Sequence, residues 1–304
     1  MTSILTNIAA MSALQTLRGI GQGLEQTQDR VSSGLRVGEA SDNAAYWSLA
    51  TTMRSDNMAF GAVEDALGLG AAKIDTAYAG MESAIDVVKE IKAKVVAATE
   101  EGVDKTKIQE EISQLQEQLQ AIAESASFSG ENWIMADAGA TKSVVSGFVR
   151  TDSGVEVKLT EIVIDDGSNG NVLFGATDGV IDTETGILGT AGTNAAGESI
   201  LTMSLTDDMT SGDIALYLDD VETALTAMTS AGAELGSISM RIGLQENFVS
   251  KLSDSIESGI GRLVDADMNE ESTRLKALQT QQQLGVQALS IANSAADNIL
   301  TLFR

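Results

Sequence analysis

The sequence predicts a mainly α-helical protein. Long antiparallel helices are expected to form a terminal coiled coil and a helical bundle, with a small β-rich hairpin and insert between them. Apolar residues recur every seventh position over long stretches, a spacing typical of long helices that pack against other helices. Proline is absent from all 304 residues, which fits long helices without prolyl kinks.

The composition favours thin helix-on-helix packing over one large globular core. Hydrophobic residues make up 43% of the chain but aromatic residues only 4%, so the apolar mass is mostly aliphatic. The length permits roughly two domains. Histidine and cysteine are both absent, which excludes disulfides, His or Cys nucleophiles and the usual zinc ligands.

Both ends of the chain carry an apolar helical face. Each of the interior glycines Gly19, Gly21 and Gly23 costs about 1 kcal/mol relative to alanine, so packing must stabilise the first helix. A second helix with an apolar face is expected to begin after a break at 265–267 and to continue to the last residue. We expect both faces to make contacts between subunits. The apolar positions are Ile4, Ile8, Met11, Leu14, Leu17, Leu24 and Val31 in the first segment and Leu275, Leu278, Leu289, Ala292, Ala296, Ile299 and Phe303 in the second.

Three further helical segments carry seven-residue apolar lines, and the lines from Leu67 to Val95 and from Leu235 to Leu263 are expected to form an intramolecular core. Residues 39–55 are small and polar and are expected to be a loop before the first of these helices. The helix that carries Ile108, Leu115 and Ile122 is expected to end before Ser129-Gly130. The seven-residue lines are Leu67, Ile74, Met81, Val88 and Val95; Ile108, Leu115 and Ile122; and Leu235, Ile242, Val249, Ile256 and Leu263.

The helical period is lost between residues 136 and 210. Alternating apolar residues on either side of Asp152-Ser153-Gly154 predict a β-hairpin near 143–163. Residues 165–198 are rich in Gly, Thr, Asp and Asn, and 200–205 is a candidate for another strand. Helix is expected to resume near Ser211.

The charge distribution limits the possible partners. The net charge of −25 argues against nucleic acid, whose phosphates would repel the chain. Residues 151–230 contain fifteen acidic residues and one lysine, a net of −14, whereas 1–34 are neutral and 271–304 carry +1. No run of 18 apolar residues predicts a membrane span, and the first residues show no basic region typical of a cleaved signal peptide.

Several separated motifs, in order, resemble bacterial flagellin. They are RVSSGLRV at 30–37, ASDNAA at 40–45, FSG at 128–130, RIG at 241–243, RLVDAD at 262–267 and the QAL…AN…L run at 287–300. The resemblance covers about 1–163 and 215–304. The family commonly has DDAAG where this chain has DNAAYW at 42–47, a variant similar to alphaproteobacterial flagellins.

The resemblance implies a structural subunit of the flagellar filament, used for swimming motility, with no enzymatic activity, catalytic residue, metal or cofactor. Residues 1–40 and 265–304 would form the coiled coil of the inner tube. Residues 41–163 and 211–264 would form the outer tube, and 164–210 a short surface insert. The implied polymerisation interface comprises the apolar positions of both terminal segments together with Leu35 and Arg36.

The resemblance also implies the partners and the location. The chain would form a helical homopolymer, alone or mixed with paralogous flagellins, outside the cell. It would be exported unfolded by the type III apparatus without a cleaved signal, bind an export chaperone at its C-terminal helix, and meet filament cap and hook-junction proteins.

Rival interpretations are a hook–filament junction protein, a soluble coiled-coil adaptor or secretion-apparatus component, and an enzyme. The first would usually have a weaker Ser-Gly-Leu-Arg motif and a different middle, and the second would have ordered ends as a monomer or small oligomer. An enzyme would need a site. However, Gly68-Leu69-Gly70 follows no predicted strand, as a phosphate-binding loop would. A calcium loop that begins at Asp165 would need a glutamate at its twelfth position, and this chain has none there. The pair Asp207-Asp208 is typical of a solvated turn. Tyr46-Trp47 is interpreted as a contact between helices or subunits.

Overall fold

The computed structural model describes residues 7–137, 139–151, 154–177, 180–192 and 197–302. Five helices and seven short or medium strands lie in these ranges, which confirms the mainly α-helical fold with a β-rich middle. The helices are α1 (Ile8–Ser33), α2 (Ala44–Ala97), α3 (Lys105–Ser125), α4 (Ser211–Val264) and α5 (Met268–Leu302); the strands are β1 (Ser127–Phe128), β2 (Glu131–Asn132), β3 (Met135–Ala136), β4 (Thr141–Thr151), β5 (Gly154–Val163), β6 (Phe174–Thr177) and β7 (Val180–Asp182).

The chain divides into two compact units, one comprising 1–58 with 253–304 and the other comprising 59–252. In the first unit α1 and α5 run antiparallel, since Asn7 contacts Ala292 and Arg30 contacts Glu271. The end of α1 is set by Gly34, whose φ of 74° is left-handed and whose N–H donates to the Arg30 carbonyl. Glycine is favoured at this capping position because other residues are strained there.

The second unit is built around the predicted seven-residue lines. All five residues of the line from Leu67 to Val95 are completely buried. On α4 the buried line is longer than the sequence suggested, because Ile214, Val221 and Met228 continue it before Leu235. In α3 the neighbouring line of Ile112 and Leu119 is the more deeply buried one.

The Phe128-Ser129-Gly130 motif forms a tight hairpin. Strands β1 and β2 are antiparallel and joined by Ser129 and Gly130, which have φ values of 52° and 83°. Two positive φ values in a two-residue loop are the requirement of a type I′ turn, which suits the twist of the flanking strands.

The predicted hairpin near 143–163 is present as the antiparallel pair β4–β5, and its turn at 152–153 lies outside the described residues. Strand β6 pairs in parallel with β3 and antiparallel with β7. The segment from 164 to 210 has its own buried apolar residues, which are Ile164, Val172, Leu173, Phe174, Ile187, Leu188, Ile200, Leu201, Met203 and Leu205.

Two sequence-based expectations were wrong. The expected loop at 39–55 is already helical from Ala44, because Asn43 caps α2 and Ala44-Ala45 are good helix formers. The strand expected at 200–205 is absent. The carbonyls of Ile200 and Met203 instead accept hydrogen bonds from the Gln116 side chain of α3, at 2.8 and 3.1 Å.

Candidate polymerisation surface

Polar contacts tie α1 and α5 together at both ends of the pair. Asn7 caps α1 by accepting from the Ala10 N–H at 3.1 Å, and its Nδ2 donates to the Ala292 carbonyl at 2.9 Å. At the other end Arg30 Nη1 lies 3.2 Å from Glu271 Oε1. These contacts fix which residues of the two helices face each other.

Two glycines of the helix pair face leucines of the opposite helix, and the contact is tight only at Gly285. A β-carbon on Gly23 would lie 3.7 Å from both Leu278 methyl carbons, and one on Gly285 would lie 3.2 Å from Leu17 Cγ. Gly285 is therefore where the helices approach closely. Nothing within 4 Å explains Gly19 or Gly21.

The α1–α5 pair leaves much of its apolar surface uncovered. On α1 the exposed fractions are 70% for Ile8, 60% for Met11 and 41% for Leu14. Exposed apolar side chains in such number mark a contact with another molecule in most soluble proteins. We name the exposed set the terminal apolar surface; its members are Ile8, Met11 and Leu14 of α1 and Leu284, Val286 and Ile291 of α5.

The other apolar residues of the implied interface are half-buried where their side chains are described. Ile4 and Phe303 lie outside the described residues. Ala296 and Ile299 belong to α5, but their side chains also lie outside the described set. The half-buried members in the two helices are Leu17, Leu24, Val31, Leu275, Leu278, Leu289 and Ala292.

Leu35 and Arg36 are held by contacts within the chain. The N–H groups of Arg36 and Val37 donate to the Val264 carbonyl, and the Arg36 guanidinium donates to the Leu263 carbonyl at 3.0 Å. Leu35 packs beside a cluster of Val37, Ala50, Ile260 and Val264. Both residues therefore order the connections between helices, and their contact with another subunit stays a prediction.

The Ala-Ser-Asp-Asn motif that follows is a capping device. Asp42 Oδ2 accepts from the N–H groups of Glu39 and Gly38 at 3.1 and 2.9 Å, and these bonds lower the pKa of the Asp42 carboxyl. Asn43 Oδ1 accepts from the N–H groups of Ala45 and Tyr46, both at 3.1 Å.

A charged cluster closes one end of the α1–α5 pair. Glu271 Oε1 accepts from both Arg30 and Arg274 at 3.2 Å, and Arg274 also pairs with Glu270 at 3.0 Å. Glu271 is buried, and its Oε2 has no hydrogen-bond partner among the described residues. An unpaired buried carboxylate oxygen costs free energy, so this cluster fixes the pairing of the helices more than it stabilises them.

Sequence reasoning missed three members of the terminal apolar surface. Leu284, Val286 and Ile291 lie off the seam that contains Leu278 and Leu289. Leu284 and Ile291 are seven residues apart, and this second heptad line was the available signal. Tyr46 and Trp47, interpreted from sequence as contact residues, are partly exposed on the first turns of α2.

The motif at 165–170 has a structural role. The Asp165 carboxylate accepts from the Gly167 N–H at 3.0 Å and so closes its own turn. Among the described residues, no group of three or more acidic side chains is arranged to hold a metal ion. No helix in the described ranges is both long and apolar enough to cross a membrane.

Comparison with known proteins agrees with this geometry. Residues 4–138 match the bacterial flagellin N-terminal helical region, and residues 218–303 match the bacterial flagellin C-terminal helical region. The chain is 51% identical to flagellin B of Rhizobium meliloti over 395 aligned positions that span the full length of both. The chain belongs to the bacterial flagellin family. This flagellin is also 52% identical to flagellin C of Rhizobium meliloti strain 1021 and 44% identical to a flagellin of Brucella melitensis biotype 1, in each case across both full lengths.

Family membership confirms the resemblance found in the sequence. This flagellin is a structural subunit of the bacterial flagellar filament and not an enzyme, and it polymerises with copies of itself in the filament outside the cell. The hook–filament junction and adaptor interpretations are not favoured.

Proposed function

We propose that this flagellin polymerises through the terminal apolar surface and the flanking half-buried residues of α1 and α5. The observation that carries the proposal is the exposure of Ile8, Met11 and Ile291 on a helix pair with little net charge. Covering such a face yields about 25 cal/mol for each Å² of apolar area. Contacts repeated at every subunit can therefore offset the entropy lost on ordering the helices.

The same proposal divides the chain in the filament. Residues 1–40 with 265–304 form the inner tube, and 41–163 with 211–264 form the outer tube. Residues 164–210 lie at the outer surface, which suits the net charge of −14 carried by 151–230. Filaments that contain paralogous flagellins as well are supported by the similarity to two flagellins of one species.

Export and capping partners complete the proposal. The chain leaves the cell unfolded through the type III apparatus without signal cleavage. A chaperone covers the apolar face of α5 before export, because Leu284, Val286 and Ile291 would otherwise promote premature association. Cap and hook-junction proteins contact the same terminal helices at the filament ends.

A substitution at Leu289 tests the interface. The variant Leu289→Asp puts a charge on the half-buried seam of α5 and is expected to abolish filament formation in a seeded sedimentation assay. Ser290→Asp adds the same charge at an exposed neighbouring position and should assemble. Circular dichroism should show that α2, α3 and α4 remain folded in both variants. Normal filaments from Leu289→Asp would refute the proposal.

A further inference from the structure

A cavity in the second unit lies beside the Arg241-Ile242-Gly243 motif. Its volume is about 210 Å³, well above the roughly 30 Å³ occupied by one water. Leu67 and Ile242, both buried, provide its apolar part. The other lining residues are Ser146, Thr160, Arg241 and Gln245, and we name the site the Arg241 pocket.

The strand register builds one wall of the pocket. Val145 pairs with Leu159 and Gly147 with Lys158, which leaves Ser146 as an extra residue in β4. Such a bulge redirects a side chain out of the regular alternation. A β-carbon on Gly147 would lie 3.4 Å from Gln245 Nε2, so this part of β4 lies against the Gln245 side chain of α4.

The polar side chains of the Arg241 pocket have no partner in the part of the chain that the structure describes. Among the described residues, we find no hydrogen bond or ion pair to the side chains of Ser146, Thr160, Arg241 or Gln245. The guanidinium offers five N–H donors in a planar fork that matches a carboxylate, and Gln245 lies one turn further along α4. Hydroxyl, amide and guanidinium donors around one cavity favour a carboxylate as the ligand.

An apolar stripe beside the pocket indicates where the carboxylate comes from. Met240, Leu244 and Phe248 recur every four residues on α4 and are 70%, 67% and 58% exposed. Met240 and Leu244 immediately precede Arg241 and Gln245 in the chain. A stripe of this kind marks a protein contact, and a covering protein would exclude water and strengthen an ion pair in the pocket.

We propose that the Arg241 pocket receives the carboxylate of an aspartate or glutamate side chain from a second copy of this chain, with the stripe covered by the same copy. The chain carries 44 acidic residues against 19 basic ones, so neighbouring copies present many carboxylates and few competing cations. The inference rests on self-assembly, but on contacts other than those of the terminal helices.

The first test removes the guanidinium. R241Q is expected to raise the critical concentration for seeded assembly by about thirtyfold or more, as loss of one partner of a covered charge pair does. K251Q removes the same charge from an exposed position of the same helix and should shift it less than twofold. Circular dichroism verifies that both variants fold. If R241Q assembled at the wild-type critical concentration, the proposal for the Arg241 pocket alone would be overturned. If the wild-type chain did not assemble, this proposal and that of polymerisation through the terminal apolar surface would both be overturned.

The second test identifies the source of the carboxylate. R241K is copolymerised as a minor component with ¹⁵N-labelled wild-type chain and treated with a carbodiimide, which joins an amine to an adjacent carboxylate as an amide. Mass spectrometry should find amides that join position 241 of the unlabelled chain to acidic side chains of the labelled chain, in filaments but not in monomers. Amides confined to one chain would overturn the inference. A second result would also overturn it. If millimolar acetate shifted the Arg241 NMR signals of the monomer and the filaments gave no amide between chains, the ligand would be a free anion.

Discussion

At the scale of single residues, Gly70 is where α2 approaches the hairpin most closely. A β-carbon there would lie 2.2 Å from Val144 Cγ1, whereas Gly68 has nothing within 4 Å. We expect Gly70→Ala to lower the free energy of unfolding of the monomer by about 1–3 kcal/mol through overpacking. Gly68→Ala should raise it by up to about 1 kcal/mol through helix propensity. Chemical denaturation followed by circular dichroism measures both, and equal effects would contradict the close approach.

Glu131 shows how a lysine partner sets a pH dependence. The Lys73 ammonium donates to Glu131 Oε2 at 2.9 Å, and this hydrogen bond lowers the pKa of Glu131 below its ordinary value of 4.5. A carboxyl whose pKa is lowered by folding contributes stability above pH 4.5 that is lost as the pH falls through the lowered pKa.

The corresponding prediction concerns the pKa of Glu131 itself. Lys73→Met should return it toward 4.5, as read from the Glu131 side-chain carbon in an NMR titration. Lys89→Met, whose lysine pairs with Asp86 elsewhere on α2, should leave it unchanged. Because the Glu131 side chain is 46% exposed, solvent screens the pair and we expect little change in stability at neutral pH.

At the scale of helices and strands, Asn43 is the cap that starts α2. The family commonly has aspartate at this position, and both side chains can accept from the N–H groups of Ala45 and Tyr46. Asn43→Ala should therefore destabilise the first turn by about 1 kcal/mol, whereas Asn43→Asp should preserve it, helped by the helix dipole. Hydrogen exchange at the amides of residues 45–48 measures the effect, and unchanged exchange in Asn43→Ala would contradict this role.

The long helices could be predicted from the sequence because one buried face repeats every seven residues, as the line from Leu67 to Val95 shows. The start of α2 could not be predicted, since Tyr46, Trp47 and Leu49 are partly exposed and give no periodic burial signal. The apolar residues at 200–205 are buried without forming a strand. The Ile200 and Met203 carbonyls accept hydrogen bonds from the Gln116 side chain and not from the backbone of a neighbouring strand.

At the scale of the whole molecule, features within one segment could be predicted, whereas features formed by residues far apart in the sequence could not. The apolar positions of α1 and α5 were recognisable within each terminal segment, although their exposed and half-buried members could be separated only once the pairing of Gly23 with Leu278 was known. The Arg241 pocket could not be predicted. Ser146 and Arg241 lie in different elements, and the bulge that exposes Ser146 depends on the register of β4 against β5.

The uneven charge makes assembly depend on ionic strength. Terminal helices with almost no net charge attract through apolar contacts, while fifteen acidic residues against one lysine in 151–230 repel between subunits. Sodium chloride shortens the screening length from about 30 Å at 0.01 M to about 10 Å at 0.1 M. We therefore expect the critical concentration, measured by sedimentation at pH 7, to fall several-fold over that range.

Neutralising part of the acidic segment should weaken this dependence. The double variant Asp207→Asn with Asp208→Asn removes two exposed charges and should assemble at a lower critical concentration in low salt, approaching the wild type as salt increases. Chloride is the appropriate anion because sulfate strengthens apolar burial by itself. A critical concentration that rose with salt would mean that attractive ion pairs between subunits, such as the one proposed for Arg241, outweigh the repulsion of the acidic segment.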